Sequence, residues 1–177
     1  MQAVIDQFTT SKLPVLTTFV ASSREGVFAL ERAKKMGIPY GVFEKKDYDT
    51  FKERDTAIAN AIGEVDLVIC AGYLGILTTG IIEKYRGKLI NIHPSLLPKF
   101  GGKGMFGENV HKAVLSAGEN VSGATVHFVD VGIDTGKIIL QGEVPVLKTD
   151  TPQTLADRVL GVEHKILFQA VKNLLQF

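Results

Sequence analysis

Asn91 and His93 stand two residues apart in the stretch "LINIHPSLLPKF", residues 89–100. Leu89, Ile90 and Ile92 around them read as a strand, and alternate side chains of a strand share one face. Asn91 and His93 therefore project together, while Ile90 and Ile92 point the other way. A neutral amide donor beside an imidazole suits a reaction in which negative charge develops on a carbonyl oxygen. The amide can hydrogen-bond that oxygen, and the imidazolium can stabilise it or hand over a proton. Pro94 and Pro98 then fix the exit of the chain. Taken alone, the motif fits a polar strand terminus about equally well, with Asn in a turn and His satisfied by backbone.

The imidazole needs a charge partner, and "GIDTG" offers Asp134 between Gly132 and Gly136. Two glycines permit a tight turn that aims one carboxylate inward. A carboxylate beside His93 would stabilise its charged form. Asp-Thr-Gly also makes a turn with no further role. As an aspartic-protease triplet it would need a second carboxylate sharing a proton, and the surrounding α/β pattern argues against that. His127 alternates with Val126 and Phe128 and reads as a packed structural histidine. His111 and His164 fall on expected helices. "GGKG", residues 101–104, could hold an anion through backbone amides and Lys103 but lacks nucleotide-loop spacing, so a surface loop is expected. No His, Cys or carboxylate pair shows metal-ligand spacing, so no metal is expected. Glu163 and His164 interrupt an apolar helix, either as a solvated face or with Glu163 reaching a substrate hydroxyl.

Short strand-like runs alternate with helical ones. Strands are expected at 14–22, 39–44, 65–72, 87–94, 124–130 and 137–146. Helices are expected at 26–37, 49–63, 108–117 and from Thr151 to about Leu175, with one more at the N-terminus through Ala3, Val4, Ile5 and Phe8. Gly37 should end its helix; Thr151 should cap the last one, with Pro152 in the first turn. "VDLVICAG", 65–72, is nearly all apolar, which predicts a strand buried on both faces. The alternation predicts an α/β fold with a doubly wound, mostly parallel sheet, whose sites lie beyond the strands' carboxyl ends. The 177 residues suffice for one domain spanning 1–177.

Of these residues, 45% are apolar, and a net charge of +1 gives no footprint for nucleic acid. No run is long enough to span a bilayer, and the N-terminus lacks the basic flank of a signal peptide. The single cysteine, Cys70, cannot form an intramolecular disulfide and reads as a small buried hydrophobe in a reducing, cytoplasmic compartment.

"NIHPSLLPKF", "SGATVHFVD" and "GIDTGKIILQGEVPV", in this order and spacing, closely resemble the phosphoribosylglycinamide formyltransferases, folate-dependent enzymes of purine synthesis. The resemblance runs from "QAVID" to the final helix. It implies a Rossmann-like formyltransferase domain in which the amine of glycinamide ribonucleotide attacks the formyl carbon of 10-formyltetrahydrofolate. It implies that Asn91 and protonated His93 hold the tetrahedral centre and that Asp134 orients His93. The implied folate pocket uses Tyr73, Leu74, Gly75, Ile76 and Leu77, and Val129 and Asp130 on the way to Asp134. Gly75 stands where the family commonly has a basic residue, so only a backbone contact would survive there. Glu163 matches a position that binds ribose hydroxyls. The implied partners are these small molecules, with no nucleic acid or membrane, in a monomer or homodimer.

One departure stands out. The family opens with a strand and a Gly/Ser/Asn-rich turn just before "QAVID", which cradles the substrate phosphate at a helix N-terminus. Here Met1 lies directly on the helix. The expectation is a truncated chain or a wrongly assigned start, with weak phosphate binding. Two relatives share the Asn-x-His core: a hydrolase of the same folate, usually behind a regulatory domain, and methionyl-tRNA formyltransferase, with an added nucleic-acid-binding domain. Length and charge disfavour both. A folate-binding protein without catalysis is the alternative from another class.

Overall fold

The computed structural model describes residues 2–73 and 75–176. The chain divides into two compact units, 1–88 and 89–177. The first contains α1 (Gln2–Thr10), β1 (Val20–Ser22), α2 (Phe28–Lys35), β2 (Tyr40–Val42), α3 (Phe51–Ile62), β3 (Val68–Cys70) and α4 (Thr79–Lys84). The second contains β4 (Leu89–His93), α5 (Glu108–Ser116), β5 (Val121–Phe128), β6 (Ile138–Pro145) and α6 (Pro152–Leu174). The alternation is that of an α/β fold.

In the first unit β1 and β2 pair in parallel, Val20 opposite Tyr40 and Ser22 opposite Val42. The strand expected over 14–22 is formed only at its last three residues. Pro14 has no N–H to give to a ladder, and the partner β2 is itself three residues long. Helix α2 ends as the glycine at 37 dictates. Gly37 takes φ 66°, the Ile38 N–H donates to Ala33 C=O at 2.9 Å, and the Gly37 N–H donates to Lys34 C=O at 3.2 Å. These two bonds satisfy carbonyls that a helix end leaves bare. Thr50 caps α3 by accepting from the Glu53 N–H at 3.1 Å. Strand β3 departs from expectation: Ile69 is 36% exposed, so its apolar run is not covered on both faces. An apolar run reports what a strand could bury, whereas the covering element lies elsewhere in the chain. The short helix α4 was not foreseen; six residues carry too little periodicity to read.

The second unit carries a sheet in the order β4-β5-β6, with both pairs antiparallel. Parallel pairing is thus the pattern of the first unit and antiparallel pairing that of the second. Ile90 and Ile92 lie opposite Phe128 and Val126, and Asn91 and His93 opposite His127 and Thr125. Helix α6 packs on β5 and β6. Gly142 makes the close approach possible, because a Cβ there would sit 2.4 Å from Val162 Cγ1. Leu155, Val159, Leu167 and Val171 on α6 are buried with Ile90, Ala124 and Val126. The helix starts as its sequence predicts, with Thr151 and Thr154 bonding each other's backbone reciprocally and Pro152 in the first turn. Among the described residues no helix is long and apolar enough to cross a membrane.

Candidate active site

The polar face of β4 and β5 is built by strand periodicity. Asn91, His93, Thr125 and His127 alternate with Ile90, Ile92 and Val126 and meet as two cross-strand pairs. His93 is 4% exposed and His127 2%. Asp134 reaches them from the loop between β5 and β6. Its Oδ2 lies 3.5 Å from His93 Nδ1, and its Oδ1 lies 3.7 Å from His127 Nε2. Asn91, His93 and Asp134, chosen for their chemistry, are therefore brought together within one unit.

The turn that delivers Asp134 is more constrained than two flanking glycines suggest. Asp134 itself takes the left-handed conformation, φ 58°, which aspartate tolerates better than most residues. A Cβ on Gly136 would sit 1.8 Å from the Phe128 carbonyl oxygen, so only glycine lets the loop close onto β5. Asp130 builds the turn from within: its Oδ1 accepts from the Gly132 N–H at 3.0 Å and from Thr135 Oγ1 at 2.7 Å. The Val129 N–H donates to Leu89 C=O at 2.9 Å. Asp134 Oδ2 also accepts from the Gly102 N–H at 3.0 Å, which ties the glycine-rich loop to the carboxylate. "GGKG" thus supplies a backbone donor to Asp134.

His93 is fixed on its other side. Its Nε2 lies 2.9 Å from the Phe100 carbonyl oxygen, so Nε2 carries a proton and donates it. The loop holding Phe100 is itself held from the sheet. Thr125 Oγ1 donates to Ser95 C=O at 2.6 Å and accepts from the Leu97 N–H at 3.0 Å, while Gln141 Nε2 donates to Leu97 C=O at 3.0 Å. Ser95 Oγ donates to Lys99 C=O at 2.7 Å. A cleft of 380 Å³ opens beside Asp134, walled by Leu97, Pro98, Ile133 and Ile138. It sets an apolar wall next to the Asp134 carboxylate, a pairing common in small-molecule sites.

Sequence reasoning set His127 aside as a packed histidine. It is packed, but it also touches the trio, with Nε2 3.2 Å from Asn91 Nδ2. Burial pushes its imidazole below the ordinary histidine range, against the pull of Phe128 C=O and Asp134. The signal was present: a histidine on the strand that pairs with "NIH", whose register was not readable. His111 on α5 is buried too, with Nδ1 unpartnered among the described residues, and burial lowers its pKa. Glu163 lies half-buried on α6, where burial raises its carboxyl pKa. It makes no hydrogen bond to Asn91, His93 or Asp134.

In the first unit the segment Tyr73–Leu77 follows β3, and Leu74 lies outside the described residues. The loop is clamped by two buried neighbours on α3. Arg54 Nη2 donates to Ile76 C=O at 2.7 Å and to Asp55 Oδ1 at 2.6 Å, and Asp55 Oδ2 accepts from the Thr78 N–H at 2.5 Å. A Cβ on Gly75 would sit 2.8 Å from the Tyr73 ring, so the missing side chain is what lets that ring lie across it. The Tyr73 hydroxyl is buried without a partner among the described residues. Burial pushes the Cys70 thiol up to about 12, which keeps it protonated and unsuited to nucleophilic attack. Among the described residues no cluster of His, Cys, Asp and Glu is arranged to hold a metal ion.

The pattern of the formyl transferase family matches residues 1–171. The chain belongs to this family. It is 36% identical over 174 residues to the phosphoribosylglycinamide formyltransferase of Haemophilus influenzae, covering 97% of this chain and 80% of that protein. It is 42% identical over 174 residues to the trifunctional purine biosynthetic protein adenosine-3 of Bos taurus, covering 97% of this chain but 17% of that protein. The chain thus spans less than a fifth of the trifunctional relatives it matches. Among solved structures, it superposes on glycinamide ribonucleotide transformylase 1 of Symbiobacterium toebii with a TM-score of 0.88 at 38% identity, covering 96% of this chain and 79% of that one. The phosphoribosylglycinamide formyltransferase of Bacillus halodurans gives 0.90 at 31%, covering 98% and 88%.

Proposed function

We propose that this formyl transferase domain moves a formyl group from 10-formyltetrahydrofolate to the amine of glycinamide ribonucleotide. The observation that carries this reading is the convergence of Asn91, His93 and Asp134, with an apolar-walled cleft beside Asp134. The names of its relatives support the choice of substrates. A planar heterocycle suits a cleft walled by Leu97, Pro98 and isoleucines. Tyr73 to Leu77 of the first unit and, separately, Val129 and Asp130 of the second are proposed as folate contacts, and Glu163 as a ribose contact. We place the reaction in the cytoplasm, a reading supported by a single cysteine that can form no disulfide within the chain, in a monomer or homodimer.

As the amine nitrogen bonds to the formyl carbon, the carbonyl oxygen gains negative charge, and Asn91 donates to it. His93 in its charged form stabilises the same oxygen. Its Nε2–H is committed to Phe100 C=O, so Nδ1, the nitrogen facing Asp134, is the one left to exchange a proton. Asp134 Oδ2 faces that nitrogen at 3.5 Å. Asp134 holds the imidazolium in place. The incoming amine loses its proton, and the leaving folate nitrogen gains one as the old carbon–nitrogen bond breaks.

The test is a formyl-transfer assay with both substrates, following loss of the formylated folate and formation of the formylated amine. His93→Ala should lower turnover by at least about a hundredfold, the scale of a lost acid/base or oxyanion group. A near-normal rate in that variant sinks the reading. Hydrolysis of the folate without transfer would assign the site to a hydrolase instead.

A further inference from the structure

Asn91 and His127 face one another across β4 and β5. Asn91 Nδ2 lies 3.2 Å from His127 Nε2, and His127 Nδ1 lies 2.8 Å from the Phe128 carbonyl oxygen. A carbonyl only accepts, so Nδ1 carries the proton and donates it. We propose that His127 is a positioning residue for formyl transfer: its Nδ1–H tautomer presents the bare Nε2 to Asn91 and thereby sets which end of that carboxamide faces inward. The inference rests on the formyl-transfer reading above, in which Asn91 meets the developing oxyanion.

Donors and acceptors decide how the Asn91 amide is turned. The two ends of a carboxamide have nearly the same shape, and only the hydrogen-bond network tells them apart. Neutral His127 has one ring donor, spent on Phe128, and one acceptor, Nε2. An Asn91 turned the other way would set Oδ1 against that lone pair, acceptor against acceptor, at a buried histidine. With Nδ2 facing His127, one amide hydrogen is spent and the second remains for the substrate oxygen. Were His127 charged, Nε2 would become a donor facing Asp134 Oδ1, 3.7 Å away, and the amide would gain by turning over. Burial and the nearby His93 lower the pKa of the ring, against the pull of Phe128 C=O, Asp134 and Asp130, and so favour its neutral form.

The experiment has two arms. In the first, nitrogen NMR of the full chain with labelled histidine reads the His127 ring. The expected result is a neutral Nδ1–H tautomer at assay pH, with Asn91→Ala shifting Nε2 and leaving Nδ1 little changed. A His127 that is protonated on Nε2 overturns the proposal. In the second arm, His127→Leu should lower kcat by about tenfold to a hundredfold with KM for both substrates little changed, because the lost interaction matters in the transition state. His127→Gln, which keeps an acceptor, should recover much of that loss. In an Asn91→Ala background His127→Leu should cost nothing further, since it acts through Asn91. Additive losses, or an unaffected kcat in the single variant, overturn the proposal. If the wild-type chain transfers no formyl group, the activity reading fails, and the NMR arm decides the placement of the Asn91 amide by itself.

Discussion

The loop after β3 in the first unit is tied down by charge: Arg54 grips the Ile76 carbonyl while Asp55 grips the Thr78 N–H, and the two side chains bond each other. The loop after β4 in the second is tied down by neutral groups, with Thr125 and Gln141 holding Ser95 and Leu97. The difference follows the secondary structure. In the second unit the loop lies against the polar face of strands β5 and β6, eight residues each, so side chains in a regular row can reach it. In the first unit β3 has three residues and offers no such row, and a helix supplies the contacts instead. A buried ion pair is strong while whole and costly when halved, because the survivor keeps an uncompensated charge. A neutral network shares its losses among several partners.

The largest effect should be on turnover and confined to the second unit: Asp134→Asn should cost at least about a hundredfold in formyl transfer while the thermal midpoint moves little. Loss of fold with loss of activity would remove Asp134 from the catalytic trio. Next, Asp55→Ala should destabilise the chain by about 3–5 kcal/mol in denaturant melts, since Arg54 is left buried without a counter-charge. An apolar replacement of both residues should recover much of it, and a single variant as stable as wild type would refute the charged clamp. Thr125→Val should cost less, about 1–3 kcal/mol, for buried groups left without a partner. Hydrogen exchange should quicken at 95–100 and stay unchanged at 76–78; a change in both would mean that the two loops share one tether.

The smallest effect is on pH dependence. Burial lowers the pKa of His111 and His127 in the folded chain, so as pH falls the unfolded chain takes up protons first. Stability should therefore decline as pH drops below about 6.5, the ordinary histidine value, and go on declining until the folded-state values are reached. His111→Gln should flatten that slope. A slope that is unchanged, or of opposite sign, would contradict the buried neutral state.

Much of the site was legible in the chain itself. Period-two alternation placed Asn91 and His93 on one face, and the short polar side chain of Asp134 between two glycines marked a sharp turn. The capping of α6 was legible for the same reason: Thr151 and Pro152 act on residues a turn away. What was not legible required a partner from a distance. The 14–22 segment looks extended, yet only Val20–Ser22 found a strand to pair with. Ile69 is apolar, yet nothing in "VDLVICAG" says whether its face is covered.

The sequence by itself determined the chemical inventory and the local geometry: an amide and an imidazole side by side, a carboxylate in a tight turn, a capped final helix, and a family pattern across residues 1–171. Neighbours within a few residues fix such features through backbone sterics and short-range hydrogen bonds. Tertiary structure alone decided that β4 and β5 pair with Asn91 opposite His127, that Asp134 comes within 3.5 Å of His93, and that the Phe100 carbonyl accepts a hydrogen bond from His93 Nε2–H. Strand register is set by which faces are buried together. That choice is made by the whole sheet and the helix α6 packed on it, and no single segment carries it.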